Sequence, residues 1–323
     1  MGQRTQPRPV SETPSPSSPV LLDGRLERAS FPPLLSAVLG LVGAFLLFQG
    51  ISTVVLLVVA LTGSASLDSL LSPDGLPTFL AENAGMVIWA NTIGQVFGLL
   101  IPGLILTRLH SSNLRGFLRF EPVDWRTLAL AAVALAGLIP LVHFSASLTD
   151  SLPWPQWIRD LETGQMKLIE QILTQDFSLL FALSMLALTP AICEEVLFRG
   201  FVQRQAERTL GIWGGILFSG IIFGLYHLRL TQAIPLSMLG IFMAWLTWRT
   251  RSIWPAILVH FLNNGLAAVL GKLTGHEANE VDLEAFDFPW WALLLALVVF
   301  VISVLGLQRK HDSVTAATNE EDA

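Results

Sequence analysis

Eight apolar runs, each of a length suited to crossing the hydrocarbon of a bilayer, constrain this chain more than any other feature. They lie at about 34–62, 85–107, 127–147, 177–200, 212–229, 233–248, 253–271 and 289–307. Inside hydrocarbon every backbone N–H and C=O group needs a partner within the protein, and a helix provides that partner inside a single segment. The sequence therefore predicts an all-α fold, a polytopic membrane bundle of about eight transmembrane helices.

Composition agrees with a membrane protein and excludes several other classes. The chain is 52% hydrophobic and 14% charged, whereas soluble proteins average about 25% charged residues. Its single cysteine, Cys193, excludes an internal disulfide. The chain shows no phosphate-binding glycine pattern and no basic patch typical of nucleic-acid binding. We expect the lipid bilayer to be a partner, and we expect no nucleic-acid partner.

The distribution of basic residues predicts the orientation. With eight crossings, most of the 19 Lys and Arg residues fall on the side that holds both termini. The other side holds only Arg159, Lys167, Arg229 and Lys272. Cytoplasmic loops are enriched in Lys and Arg, so we expect both termini to be cytoplasmic. The predicted location is the plasma membrane of a bacterial cell, as a multi-pass protein.

Two adjacent acids, Glu194 and Glu195, interrupt the fourth apolar run. Ionisable residues at membrane depth are costly and usually mark functional sites. On a helix, Glu195 and Arg199 are four residues apart and can pair. Glu194 is rotated by about 100° from Glu195, so it can face a cavity while its neighbour has a structural role.

Polar residues on two later runs can converge on these acids. Phe223 and His227 are four residues apart on the fifth run, and His260 and Asn264 are four apart on the seventh. A hairpin turn near Gly211 would place Glu194 and His227 at the same height on antiparallel helices. Asn91 and Gln95 form a further pair on the second run, which we interpret as making hydrogen bonds between helices.

Such a set supports two chemistries. A Glu–His pair can hold and deprotonate a water for attack on a carbonyl group, while a second His with an Asn can donate hydrogen bonds to the developing oxyanion. Alternatively, Glu194, His227 and His260 could form a hydrolytic zinc site with water as the fourth ligand. Residue spacing leaves both possibilities open.

The three motifs together resemble the signature of the CAAX-processing and bacteriocin-processing intramembrane proteases, the family that includes the Ras-converting CAAX endopeptidase. The matching residues are Glu194, Glu195, Arg199, Phe223, His227, His260 and Asn264. The resemblance implies an eight-helix fold and an endopeptidase that hydrolyses membrane-associated protein or peptide substrates at a site recessed from the cytosolic face. Residues 1–176 add no recognisable signature of this family.

The resemblance also implies roles for these residues. Glu194 and His227 would activate the water, and His260 and Asn264 would form the oxyanion hole. Glu195, Arg199 and Phe223 would support them. We favour a metal-free, glutamate-type mechanism with no cofactor, and Zn²⁺ is the alternative. The substrate would be of the CAAX type or of the bacteriocin type.

The predicted organisation follows from these assignments. Residues 1–30 form a disordered cytoplasmic tail, because they are rich in Pro, Ser and polar groups. Accessory transmembrane helices occupy 31–176 and the protease core occupies 177–271. A final loop and helix cover 272–307, before a polar cytoplasmic tail at 308–323.

Two points remain alternatives at this level. Segment 148–176 reads as an extracytoplasmic amphipathic helix on the membrane surface, or as a lid that guides substrate. The intramembrane Glu and His residues could instead serve a proton-coupled carrier or be part of a non-proteolytic membrane scaffold.

Overall fold

A computed structural model describes residues 20–62, 75–173, 176–274 and 288–321, and in these residues it is a bundle of helices. In chain order the helices are α1 (Arg25–Arg28), α2 (Pro33–Thr62), α3 (Gly75–Glu82), α4 (Ala84–His110), α5 (Leu114–Phe117), α6 (Trp125–Asp150), α7 (Gln156–Leu173), α8 (179–210), α9 (212–226), α10 (Ala233–Thr250), α11 (Trp254–Thr274) and α12 (Trp290–Glu321). The predicted all-α architecture is confirmed.

Every apolar run of the sequence is helical. Six helical stretches of the described chain are long and apolar enough to cross a membrane, and one of them, Leu179–Tyr226, is a double-length stretch of 48 residues. At 1.5 Å per residue it would be about 72 Å long if straight, far more than the roughly 30 Å of hydrocarbon. The protein is an integral membrane protein, and this stretch has to be divided.

The division occurs at Gly211, as the predicted hairpin turn requires. Gly211 has φ of +75° and ψ of 175°, a conformation outside the helical region. A residue without a Cβ adopts positive φ at little cost. The chain therefore reverses here, and α8 and α9 form an antiparallel pair.

Some predicted boundaries differ from the structure. Helix α9 ends at Tyr226 rather than at 229, and His227 caps its C-terminus. Helix α12 continues to Glu321, through the segment predicted as a polar tail. Of the segment 1–30, residues 20–30 are described and include α1, while the first 19 lie outside the described residues.

Helix α8 has a central position in the bundle. It packs against α4 on one side and α11 on the other, while α9 packs closely along α10. At the α9–α10 contact a Cβ on Gly240 would lie 2.5 Å from the carbonyl oxygen of Gly220. Small residues allow membrane helices to approach this closely, and the contact brings the backbone of α10 within reach of α8.

Wide π-helical turns flank the acidic pair. They cover Leu183–Leu188 and Val196–Val202 in α8, and Val96–Leu100 in the facing helix α4. The acids themselves lie in the regular α-helical segment Thr189–Glu195 between two of these turns. Single π-helical turns are frequent at functional sites because they shift the register of side chains. Apolar periodicity did not predict them.

Candidate active site

Glu195 is the centre of a buried hydrogen-bonded cluster. Its Oε1 atom accepts a hydrogen bond from Arg199 Nη1 at 2.9 Å and lies 2.8 Å from His260 Nδ1. Glu195 and Arg199 are fully buried, and His260 is 3% exposed. A buried charge is tolerated when it is paired and hydrogen bonded. The predicted pairing of Glu195 with Arg199 is present, and the same carboxylate also orients His260.

Arg199 connects this cluster to the α9–α10 hairpin. Its Nη2 atom donates to the carbonyl oxygen of Gly240 at 3.0 Å, and its guanidinium group lies 4.3 Å from the centre of the Phe223 ring. A guanidinium group over an aromatic face is a favourable cation–π arrangement. Arg199 therefore ties α8 to both α9 and α10.

Glu194 has a different environment from its neighbour. Its side chain is 14% exposed, and its Oε2 atom lies 4.0 Å from His260 Nε2. Its Oε1 atom accepts a hydrogen bond of 3.5 Å from Gln95 Nε2 on α4. The two acids thus separate as helical geometry predicted, one buried in an ion pair and one partly accessible and facing an imidazole.

His227 lies beyond the last turn of α9. Its Nδ1 atom is 2.8 Å from the carbonyl oxygen of Phe223, and its side chain is exposed. A carbonyl oxygen can only accept, so Nδ1 carries the proton and Nε2 of the neutral ring is an acceptor. His227 makes no hydrogen bond or ion pair with Glu194 among the described contacts, although both were expected at one height.

Phe223 links the two histidines. Its ring packs edge-on against His227, with ring centroids 4.9 Å apart, and against His260, with centroids 5.7 Å apart. Phe223 is 2% exposed, so it occupies the space between the imidazoles. Phe223 therefore separates the two imidazoles, and its supporting role stays a prediction.

Asn264 lies one helical turn beyond His260 on α11, and its hydrogen bonds in the described structure are to Leu186 and Asn263. Its Nδ2 atom donates to the carbonyl oxygen of Leu186 at 3.4 Å, and its Oδ1 atom accepts from Asn263 at 3.2 Å. Within the described part of the chain no hydrogen bond joins Asn264 to Glu194, His227 or His260. Its amide faces α8 near the site, and its predicted oxyanion role stays a prediction.

The zinc alternative requires Glu194, His227 and His260 to converge on one ion. No group of three or more His, Cys, Asp or Glu side chains in the described residues could hold a metal ion. His260 directs Nδ1 to Glu195, and His227 directs Nδ1 to a backbone carbonyl. Of the proposed ligands only Glu194 and His260 are close to each other.

Gln95 is the site residue that the sequence reasoning underestimated. The amide pair on the second run predicted hydrogen bonds between helices, but not which partner Gln95 would have. Gln95 is 5% exposed, and its Oε1 atom is buried without a hydrogen-bond partner while Nε2 contacts Glu194. Its position four residues after Asn91 on an apolar helix was the only available signal.

Comparison with known families gives an independent result. Residues 176–266 match the family model described as Type II CAAX prenyl endopeptidase Rce1-like. The match contains every residue of the three motifs and nearly coincides with the predicted core at 177–271. The predicted resemblance to the CAAX proteases is confirmed over this part of the chain. No curated protein and no solved structure matches the chain.

Proposed function

We propose that this protein is an intramembrane endopeptidase that hydrolyses membrane-associated peptides or proteins of the CAAX type. One observation carries the proposal. Within the segment that matches the Rce1-like family, a partly exposed carboxylate, Glu194, faces the Nε2 atom of His260, whose other nitrogen contacts a buried acid. Such an arrangement can activate water and stabilise negative charge at the same place.

Glu194 is the proposed general base. Its exposure gives it access to a water molecule, and its contact with Gln95 holds one carboxylate oxygen in place. The proton of the water passes to the carboxylate as the oxygen attacks the scissile carbonyl carbon. The same proton can then be delivered to the leaving amine, so that atoms and charge balance over the reaction.

His260 is the proposed oxyanion donor. The Glu195 carboxylate accepts from Nδ1–H, which leaves Nε2 directed toward Glu194 and the reacting carbonyl. With a proton on both nitrogens, His260 would form a neutral cluster with Glu194, Glu195 and Arg199. Neutral clusters are the ones that a buried site tolerates. Asn264 would supply a second donor after releasing the Leu186 carbonyl.

His227 is proposed to assist Glu194 from the accessible side of the site. Because Nδ1 is held by the Phe223 carbonyl, the lone pair of Nε2 is free to accept a hydrogen bond from the attacking water, which gives its proton to Glu194. The exposed ring supports this role. This role requires that bound substrate or water bridge His227 and Glu194, which do not contact each other directly.

We propose a metal-free mechanism, with Zn²⁺ as the alternative to be tested by metal analysis of the purified protein and by inhibition with chelators. We also propose the orientation that the basic residues predict, with both termini on the cytoplasmic side of a bacterial plasma membrane. Reporter fusions at Arg251 and near Asp150 would test that orientation, because the two loops should report opposite sides.

The decisive experiment uses the purified protein in liposomes with an internally quenched, farnesylated peptide that ends in a CAAX sequence. We expect cleavage by the wild-type protein and none by Glu194→Ala or His227→Ala. Asp160→Asn is the matched control, because this acid lies on the exposed face of α7 and contacts only Gln156 of its own helix among the described residues. Retained cleavage in both site variants would refute the assignment.

A second experiment covers substrates of other chemistry. Membranes from cells with wild-type protein and with Glu194→Ala should differ in a small set of uncleaved proteins. Identical membrane proteomes, with no cleavage of the farnesylated peptide, would argue against proteolysis. Proton uptake by liposomes that depends on Glu194 would then favour a carrier.

A further inference from the structure

Helix α7 contains a buried carboxylate that the proposed mechanism does not use. Glu162 is 6% exposed, although most of the described side chains of its helix are exposed. Its Oε1 atom accepts from the backbone N–H of Thr231 at 3.2 Å, and its Oε2 atom accepts from the hydroxyl group of the same residue. Both oxygens of one carboxylate are thus engaged by a single residue that is 69 positions away in the sequence.

Glu162 makes these contacts without a cation. No Lys, Arg or His forms an ion pair with it among the described residues, so hydrogen bonds from Thr231 are its compensation for burial. A buried carboxylate without hydrogen bonds would be strongly unfavourable. The contact therefore constrains both the carboxylate and the backbone that donates to it.

Thr231 belongs to the short loop that follows His227. This loop joins α9 to α10 and contains Leu228 at φ of +54°, a left-handed conformation that is uncommon for a residue with a branched side chain. A conformation of this kind persists where the surroundings hold it in place. Thr231 lies three residues beyond Leu228, and its contact with Glu162 is such a restraint.

Helix α7 is itself fixed against the helices of the site. It packs against α3, against the N-terminal part of α4 that carries Gln95, and against α11, which carries His260. Ile158, one turn before Glu162, is 6% exposed and belongs to the same inward face. Glu162 therefore relates the position of the His227 loop to the two helices that carry the other site residues.

We propose that Glu162 is a positioning residue that holds His227 in register with the site through Thr231. The inference rests on the proposed function for its catalytic consequence, but the structural link can be measured without substrate. The groups of a site need to be held within about 0.5 Å of a productive geometry. Without the hydrogen bonds from Thr231 to Glu162, the loop that carries His227 would not be held this closely. Helix α7 then supports the active site, in addition to any contact that it makes with lipid.

Hydrogen exchange tests the link directly. In the full-length protein in nanodiscs, Thr231→Val removes the hydroxyl group at nearly constant shape, and Glu162→Ala removes both hydrogen bonds. We expect exchange of amides 228–232 to accelerate about tenfold in Glu162→Ala, since a hydrogen bond to a charged group contributes roughly one factor of ten or more. Asp160→Ala, on the exposed face of the same helix, should leave exchange unchanged.

Cleavage kinetics test the consequence. With the farnesylated CAAX peptide we expect Glu162→Ala and Thr231→Val to lower kcat about tenfold while KM changes little, because His227 is proposed to act in the chemical step. Thr231→Ser keeps the hydroxyl group and should restore most of the rate. If Glu162 had a purely structural role, the substitutions would lower the amount of folded protein without lowering kcat relative to KM.

The outcomes are separable. Unchanged exchange at 228–232 in both Glu162→Ala and Thr231→Val would overturn the proposal whatever the activity. Faster exchange with unchanged kcat would overturn the positioning role and leave the proposed function intact. Faster exchange, with no cleavage by the wild-type protein either, would count against the proposed function and, with it, against any effect of Glu162 on cleavage.

Discussion

Two clusters in this molecule have the same chemical composition and differ in access. In the first, Glu195 joins His260 to Arg199. In the second, at the arginine-rich end of the bundle, Glu27 lies 2.6 Å from His110 Nδ1 and accepts two hydrogen bonds from Arg208. Each is a carboxylate that orients an imidazole through Nδ1 and pairs with an arginine.

The difference is at the second nitrogen of each imidazole. His110 Nε2 lies 2.7 Å from the hydroxyl group of Ser36, and both residues are buried, with His110 fully enclosed. His260 Nε2 faces Glu194, a residue with 14% exposure, at 4.0 Å. The Ser36–His110–Glu27 arrangement has the hydrogen-bond order of a catalytic triad, but its hydroxyl group and imidazole are buried, since Ser36 is 3% and His110 0% exposed.

The comparison teaches that donor and acceptor geometry alone does not define a site. The cluster around Glu27 uses every polar atom of the imidazole to join α1, α2 and α4 to α8. In the cluster around Glu195, Nδ1 of His260 contacts the buried Glu195, and Nε2 is directed at a second acid, Glu194. We therefore assign stability to the cluster around Glu27 and chemistry to the cluster around Glu195, and the following substitutions test that division.

The largest effect is expected for Glu194→Gln. It removes the proposed general base and keeps the size of the side chain and the contact with Gln95. General-base catalysis contributes about 10²- to 10⁴-fold, so we expect kcat for the farnesylated peptide to fall by about 10³-fold. The unfolding temperature in detergent should remain within the error of the wild type. A variant with normal kcat would remove Glu194 from the mechanism.

Glu195→Ala should damage both stability and activity. It leaves Arg199 buried without its carboxylate, and breaking a buried pair costs about 3–5 kcal/mol. It also frees His260 to rotate. Denaturant unfolding would measure the first effect, and cleavage by the fraction that remains folded would measure the second. Normal stability would show that Gly240 and Phe223 suffice to hold Arg199.

Gln95→Leu should have an intermediate effect confined to activity. It removes the hydrogen bond to Glu194 Oε1, so the carboxylate loses one restraint, and we expect kcat to fall about tenfold. Asn91→Leu is the matched control on α4, one turn away, because the side chain of Asn91 makes no hydrogen bond within the described residues. Equal effects of the two substitutions would mean that the helix, and not the contact with Glu194, is what matters.

Glu27→Gln should leave cleavage unchanged and lower stability by about 1–2 kcal/mol at neutral pH. Burial raises the pKa of Glu27. The hydrogen bonds from Arg208 and His110 together lower this pKa by more than burial raises it, so the pKa lies below the usual value for glutamate. A lowered pKa gives stability above the unfolded-state pKa that is lost as pH falls through the folded-state pKa. The wild type and Glu27→Gln should therefore converge in acid, as the pH falls through the lowered folded-state pKa of Glu27.

Reduced cleavage in folded Glu27→Gln would contradict the division between the two clusters. The measurement is unfolding in detergent from neutral pH downward, together with the initial rate on the farnesylated peptide at neutral pH. A stability difference that persists in acid would show that the effect of Glu27 does not depend on its charge.

Much of the fold could be predicted from local sequence. The eight apolar runs became helices because backbone groups in hydrocarbon have no other partner within one segment. The turn at Gly211 followed from the glycine between two such runs. The pairing of Glu195 with Arg199 followed from a four-residue spacing, which survives in the structure although π-helical turns begin at Val196.

Other features required the packing of distant helices. His110 lies just beyond the second apolar run and outside all three motifs, yet it is buried between Ser36 and Glu27, which are 74 and 83 positions away. The absence of a direct contact between Glu194 and His227 also escaped prediction. Helical height is a one-dimensional property, whereas α9 ends before His227, whose ring turns back to the Phe223 carbonyl.

The sequence by itself determined that the chain is a helical membrane protein and that Glu194, His227 and His260 are its candidate chemical groups, because hydrophobic length and the cost of charges in lipid are local properties. Only the tertiary structure decided which nitrogen of each histidine is free, which acid is accessible, and that Gln95 and Glu162 restrain the site. Those choices depend on side chains from separate helices meeting in three dimensions, where burial and hydrogen-bond partners are set jointly rather than by any one segment.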